Sequence, residues 1–273
     1  MKIAAFNVKK MGWKKVNNHF VRRKLIKIVS RYSVVVMLEV VNLSGMAMLR
    51  FLRELNKKNQ RNPFKMLCSE SLGQSSYREK FAYFYRENEV KIWDYYQYED
   101  NEDVLARNPF ILWFKCPNTV AQDLVLIPVH TKPEDTAKEL DALGDVVEDV
   151  RERWRIDNIM ILGDFNADGR YLSKKKKKNI RICSAPYHWL IKDGVNTTTS
   201  DNTDNTYDRI VVFGDYMYNA VVPYSAKPFN FQDAYGLSNA DTRAISDHYP
   251  VEVELEEEEE LEEEDYSLFY SYY

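Results

Sequence analysis

Residues 123–166 read DLVLIPVHTKPEDTAKELDALGDVVEDVRERWRIDNIMILGDFN, and this stretch decides the fold. Leu124-Val125-Leu126-Ile127-Pro128-Val129 is apolar at every position, as a strand covered on both faces must be. It ends in His130. Pro133 leads into a helix over about 134–154. A second apolar strand, 158–163, follows and ends in Gly163-Asp164-Phe165-Asn166. Strands apolar on both faces need layers on both sides, which points to a layered α/β protein.

Working outward, residues 2–8 alternate as a strand, and 33–38 form a Val-rich one. Residues 16–31 place Val16, Phe20, Leu25, Ile28 and Val29 at helical spacing. Residues 44–58 predict a helix buried through Met48, Leu49, Leu52 and Leu55. Further strands are expected at 64–69, 80–86, 91–98, 109–115, 207–213, 217–222 and 249–255. The expected fold is α/β, with two packed mixed β-sheets flanked by helices in a four-layer α/β sandwich. No repeat or linker divides residues 1–255, which read as one domain.

The chain has 273 residues, enough for a large core, and its 45% hydrophobic content suits a globular protein. No apolar run approaches the roughly 18 residues of a membrane span. Met1-Lys2-Ile3-Ala4-Ala5-Phe6 enters a strand at once, with no signal peptide visible. Cys68, Cys116 and Cys183 are odd in number and widely spaced, so neither a disulfide framework nor a zinc pattern is read. These features predict an intracellular protein, cytoplasmic, nuclear or both, and not secreted on this sequence.

The net charge of −4 conceals a division. Residues 256–265 hold nine acids, so the rest carries 38 basic against 33 acidic residues. A basic body suits a polyanionic partner. The tail 256–273, acidic and ending in Tyr266, Phe269, Tyr270, Tyr272 and Tyr273, reads as disordered and as a competitor for the basic face. Lys174–Lys178 reads as a loop, either a solvated turn or a phosphate-contacting patch.

The chemistry lies at the strand ends. His130 and His248, two of only four histidines, terminate or precede apolar runs. Asn7 and Glu39 follow strands, Asp164 and Asn166 lie in Gly-Asp-Phe-Asn, Asp208 opens Asp-Arg-Ile-Val-Val, and Asp247 precedes His248. Hydrolysis of a phosphodiester needs a proton acceptor for water, charge stabilisation at phosphorus and a proton donor for the leaving oxygen. Imidazoles meet the first and last needs. Oxygen ligands on a hard divalent cation meet the second.

Taken together, these motifs resemble the deoxyribonuclease I family of the endonuclease/exonuclease/phosphatase superfamily. The likeness runs over about residues 2–255. It rests on Lys-Ile-Ala-Ala-Phe-Asn at 2–7, Leu-Glu-Val at 38–40, Leu-Gly-Gln-Ser-Ser-Tyr-Arg-Glu at 72–79 and Pro-Val-His-Thr at 128–131. It continues through Leu-Gly-Asp-Phe-Asn-Ala-Asp at 162–168, Thr-Tyr-Asp-Arg-Ile-Val-Val at 206–212 and Ile-Ser-Asp-His-Tyr-Pro at 245–250. The absent signal and disulfide make the chain look most like the intracellular branch called deoxyribonuclease-1-like 4.

The resemblance implies a divalent-metal-dependent endonuclease acting on DNA with little sequence specificity. In it His130 pairs with Glu79 and His248 with Asp208, Asp164 is catalytic, and Glu39, Asn7, Asp247 and Asn166 surround the metal. Tyr77, Arg107 and Asn166 contact DNA. Mg²⁺ or Mn²⁺ is the expected cofactor. Other phosphodiesterases of the superfamily, acting on abasic DNA, a phosphoinositide or a phospholipid, and a non-catalytic binding relative are the alternatives.

The sequence departs from the family pattern in several places. Val41 replaces an arginine expected in the minor groove. The family's disulfide positions fall at Gly169 and Asn205. Asn196-Thr197-Thr198 and Asn108 replace carboxylates at calcium sites, which weakens those sites, with Glu99 and Asp103 as a remnant. The actin-facing positions fall at Cys68 and Phe110, and the bulk of Phe110 argues against actin binding. A monomer without membrane contact is expected.

Overall fold

The computed structural model describes residues 1–41, 44–74 and 76–258. In chain order its elements are β1 (Lys2–Met11), α1 (Trp13–Asn17), α2 (His19–Val29), β2 (Val34–Val40), α3 (Met46–Lys58), β3 (Phe64–Cys68), β4 (Lys80–Arg86), β5 (Lys91–Gln97), β6 (Phe110–Cys116) and β7 (Gln122–His130). There follow α4 (Thr136–Trp154), β8 (Ile159–Asp164), α5 (Lys174–Lys177), β9 (Tyr187–Trp189), β10 (Asp208–Phe213), α6 (Gly214–Asn219), β11 (Lys227–Pro228), α7 (Phe231–Tyr235), α8 (Asn239–Ile245) and β12 (Val251–Glu254).

These strands form two six-stranded sheets, ordered β11-β12-β1-β2-β4-β3 and β5-β6-β7-β8-β10-β9. Both are mixed: β1 runs parallel to β2, and β7 parallel to β8, with antiparallel neighbours on either side. Alternation along each strand feeds separate cores. Ile3 and Ala5 face the space between the sheets and meet Leu112, Leu126, Met160 and Leu162. Ala4 and Phe6 face the other way, onto Leu25, Ile28 and Phe51 of α2 and α3. Val125, Ile127 and Ile161 turn outward onto Leu140, Leu143 and Val147 of α4. Helix, sheet, sheet and helix therefore stack in four layers, as the apolar runs predict.

Several expectations change. The single helix expected at 16–31 is split at Asn18, whose side chain caps α2 by accepting from the Val21 N–H at 3.1 Å. Phe20 and Leu49 are exposed, and Phe51 takes the buried place on α3. The segment expected to be a strand at 217–222 is instead the end of α6 and its exit. Gly214, at φ 80, turns the chain out of β10 and into that helix. Lys174–Lys177 is a helical turn rather than a loop, capped by Ser173, which accepts from the Lys176 N–H. Of the acidic tail, residues 256–258 continue beside the loop before β7, with Glu257 bridged to Thr119. Residues 259–273 lie outside the described residues.

Candidate active site

The site forms where the parallel strands of the two sheets end together. In the β7–β8 register His130 lies opposite Asp164, and in the antiparallel β8–β10 register Asp208 also lies opposite Asp164. Asp164 is thus the common neighbour. From the other sheet, the Asn7 side-chain N–H group donates to Glu39 Oε1 and to Asp164 Oδ2, both at 3.1 Å. This amide ties the two sheets together at the mouth of the site.

Local backbone irregularity aims the carboxylates. The β1–β2 ladder shifts register between Asn7 and Met11, and β2–β4 shifts between Met37 and Val40. Glu39 sits in that break at φ 58, which turns its side chain out of an otherwise buried strand. Its Oε2 accepts from the Lys10 N–H at 3.0 Å. Asn166 is also left-handed, at φ 48, and its N–H donates to Asp164 Oδ1 at 3.1 Å. Gly163 permits the close approach of β8 to β7: a Cβ there would lie 2.0 Å from the Val129 carbonyl oxygen.

Two histidines face each other across Asp164. His130 Nδ1 is 2.7 Å from Glu79 Oε1, and its Nε2 lies 3.7 Å from Asp164 Oδ2 and 3.8 Å from Glu39 Oε1. His248 Nδ1 is 2.7 Å from Asp208 Oδ2, and its Nε2 lies 3.6 Å from the same Asp164 oxygen. Each ring has a carboxylate behind Nδ1, which fixes the tautomer and leaves Nε2 toward the cavity.

Electrostatics follow from burial opposed by charge. Burial lowers the proton affinity of His248, but Asp208 and Asp164 outweigh it and raise the pKa to about 10. His130 is also raised: Glu79 and Asp164 overcome burial, while Arg107 works against them. Burial pushes the Asp208 carboxyl up to about 6 despite the His248 charge. Asp164, although buried, is held below the usual carboxylate range by the two imidazoles, the Asn166 N–H and the Asn7 amide.

Other expected residues take flanking places. Arg107 pairs with Glu79 and donates to the His130 carbonyl oxygen at 3.2 Å, so its charge is committed beside the histidine. Tyr77 is partly exposed at the rim, where burial and the Glu39 and Glu79 carboxylates raise its hydroxyl pKa. Asp247 is half exposed, 3.9 Å from His248 Nε2 and 3.5 Å from Lys9 Nζ. Phe110, expected on an actin-facing surface, is buried between the sheets. The three cysteines are free thiols. At the family's disulfide positions, a Cβ on Gly169 would lie 3.2 Å from Asn205 Oδ1, so the two residues are still neighbours.

Sequence reasoning missed several supports. Thr197, read only as part of a weakened calcium site, donates to Asp208 Oδ2 at 2.8 Å. Thr131 receives the Asn166 amide. Ser246 donates to the Asn7 carbonyl oxygen at 2.6 Å and accepts from the His248 N–H. Lys15 donates to the carbonyl oxygens of Val8, Lys9 and Ile245, and burial lowers its pKa to about 8. Glu139 on α4 accepts from the N–H groups of Lys132 and Ala106, beside His130 and Arg107, and burial raises it to about 7. Hydroxyls and lysines of this kind carry no local pattern, so only their contacts identify them.

A divalent cation suits this donor set. Glu39, Glu79 and His130 bring ligating atoms within 4.8 Å of one another, as do Asp164, Asp208 and His248. Four carboxylates converge, oxygen-rich and partly buried, which favours a hard ion. The Asn7 amide nitrogen faces two of these carboxylates while its oxygen accepts from the Lys9 N–H, so Asn7 orients the carboxylates in this arrangement.

Residues 6–248 match the endonuclease/exonuclease/phosphatase family. The chain is 40% identical to deoxyribonuclease-1 of Oryctolagus cuniculus over 261 residues, 93% of this chain and 92% of that protein. The chain belongs to the deoxyribonuclease I family. Deoxyribonuclease gamma of Rattus norvegicus is 38% identical, covering 94% of this chain and 84% of its own length. Deoxyribonuclease-1-like 1 of Homo sapiens is 40% identical, covering 93% and 84%. Among solved structures, an endonuclease/exonuclease/phosphatase family protein from Leptotrichia buccalis superposes with TM-score 0.64 at 18% identity, over 94% of this chain and 99% of its own. Humanized D. rerio TDP2 gives 0.62 at 14% identity, over 93% and 97%. These two share the fold. The deoxyribonuclease relatives match along nearly the whole of this chain.

Proposed function

We propose that this member of the deoxyribonuclease I family is a divalent-metal-dependent endonuclease that hydrolyses phosphodiester bonds of DNA. The carrying observation is the pair of imidazoles, each backed by a carboxylate, with both Nε2 atoms within 3.7 Å of one Asp164 oxygen. A phosphate between these rings meets a proton acceptor on one side and a proton donor on the other. Water oxygen bonds to phosphorus as its proton passes to one imidazole. The bond from phosphorus to the leaving oxygen breaks, and that oxygen takes a proton from the second imidazole. Glu79 and Asp208 hold the rings in place and stabilise their charged forms. Asp164 lies between the rings, and its negative charge favours the protonated form of each.

Glu39, with the neighbouring carboxylate oxygens, would hold Mg²⁺ or Mn²⁺. When bound, such an ion supplies positive charge to the phosphate oxygens and lowers the proton affinity of nearby groups. Tyr77, partly exposed on the Glu79 side, would meet a sugar, whereas Arg107 would reach a phosphate only by leaving its pair with Glu79. Contacts of that kind give little sequence specificity. Calcium is a weaker proposal: in the loop after β5, Asp103 is occupied by Gln74, and Asp100 accepts the Leu105 N–H. Actin is not proposed as a partner. The basic body fits DNA, and the free thiols fit the reducing interior of a cell.

Plasmid nicking with Mg²⁺, with and without EDTA, tests the reading. EDTA abolishes nicking, and His130→Ala and His248→Ala each slow it by about 10² or more. Nicking by either variant at the unmutated rate would falsify the assignment.

A further inference from the structure

Beyond the edge strand β9 the surface opens into a long groove away from the histidines. One half, about 690 Å³, is lined by Lys177, Lys178, Tyr187, His188 and Arg209. The other half, about 560 Å³, is lined by Leu190, Val195, Val222, Tyr224, Lys227 and Glu256. Trp189, Ile191, Lys192 and Tyr218 line both halves, so the two are continuous. Tyr218 is 47% and Tyr224 100% exposed, an open apolar lining. Lys178, Lys192 and Lys227 make no ion pair among the described residues, whereas Lys177 and Arg209 share Asp193. The groove thus offers aromatic faces beside uncommitted cations, which suits a partner that is both acidic and aromatic.

We propose that this groove is the docking site of the chain's own C-terminal segment, residues 259–273. Position supports the assignment. Glu256 lines the groove, its N–H donates to the Ala220 carbonyl oxygen at 2.9 Å, and the segment begins three residues later. Composition matches as well: residues 259–265 contain six acids, and Tyr266, Phe269, Tyr270, Tyr272 and Tyr273 follow. Fifteen residues reach at most about 50 Å when extended, more than enough to fold back along the groove. Covalent attachment raises the local concentration to the order of mM, so individually weak ion pairs suffice.

The strand register sets the start of the segment at the groove rather than at the catalytic cleft. Glu258 contacts Gln122, the first residue of β7, whereas His130 is the last. The strand between them is about 25–30 Å long, so the tail starts at the far end of the sandwich from the histidines.

Carbodiimide crosslinking of the full-length chain, read by mass spectrometry, tests the proposal. Crosslinks are expected from carboxylates at 259–265 to Lys178, Lys192 and Lys227 within the single-chain species. Lys192→Glu with Lys227→Glu removes them and leaves nicking unchanged. A second full-length variant carries serine at Tyr266, Phe269, Tyr270, Tyr272 and Tyr273; amide exchange at 189–192 and 221–227 should then speed up. Crosslinks that persist in the charge-reversed variant overturn the proposal, as do crosslinks to Lys9, Lys10 or Lys14. Crosslinks found only between two chains assign the groove to a second copy instead and equally overturn it.

Discussion

The Thr197 hydroxyl donates to Asp208 Oδ2 at 2.8 Å and accepts the Asp208 N–H at 3.1 Å. The same carboxylate oxygen faces His248 Nδ1. A threonine from the loop between β9 and β10 therefore helps to orient the Asp208 carboxylate behind His248 and opposes the rise in its pKa caused by burial. It is a positioning residue, two hydrogen bonds removed from the His248 ring.

Removing that hydroxyl has a directional consequence. Thr197→Val leaves Asp208 with one donor fewer, so its pKa rises above about 6 and it holds His248 less firmly. The nicking rate at neutral pH should fall by about tenfold, equivalent to ~1.4 kcal/mol, and the acid limb of the pH profile should move upward. Thr197→Ser restores both. A Val variant with an unshifted profile removes Thr197 from this role.

The His248–Asp208 pair also links stability to pH. His248 is raised in the folded chain from 6.5 to about 10, so its contribution is fully present below pH 6.5 and lost as pH rises through 10. Asp208 is raised from 3.8 to about 6, so folding favours its protonated form and stability falls as pH rises through that interval. Both effects have the same sign. In EDTA, denaturant unfolding should show the wild-type chain losing stability relative to Asp208→Asn/His248→Gln between pH 7 and 9.5. A gap that widens with pH contradicts the charge assignment.

Gly163 is a backbone requirement rather than a surface preference. At φ 144, with the Val129 carbonyl oxygen 2.0 Å from where a Cβ would stand, any side chain forces β7 and β8 apart at the His130–Asp164 level. Gly163→Ala should cost about 3 kcal/mol or more and lower Tm by roughly 10 °C. A thermal melt close to wild type counts against this packing.

DNA binding should weaken steeply with salt, because lysines and arginines displace condensed counterions. Affinity for duplex DNA of the nicking-dead His130→Ala chain should fall ~tenfold or more between about 50 and about 200 mM salt. A flat titration points to a small phosphate ester or phospholipid substrate.

Residue pattern alone carried much of the architecture. The apolar runs ending in His130 and Asp164 are legible because a strand buried on both faces has no polar positions to spare. Residues 217–222 misled, because Met217, Tyr218, Val221 and Val222 favour a strand while the left-handed Gly214 turns the chain into a helix first. Local preference there was weaker than one backbone constraint.

By itself the sequence determined the family, the four-layer order and the chemical types at the strand ends, because burial periodicity and contiguous motifs are local properties of the chain. Only the tertiary structure decided that two imidazoles share one Asp164 oxygen, that Asn7 joins carboxylates of opposite sheets, and that Thr197 serves Asp208. Those contacts join residues 11 to 157 positions apart. Their distances depend on strand register and on how the sheets pack, and neither is encoded in any short stretch of residues.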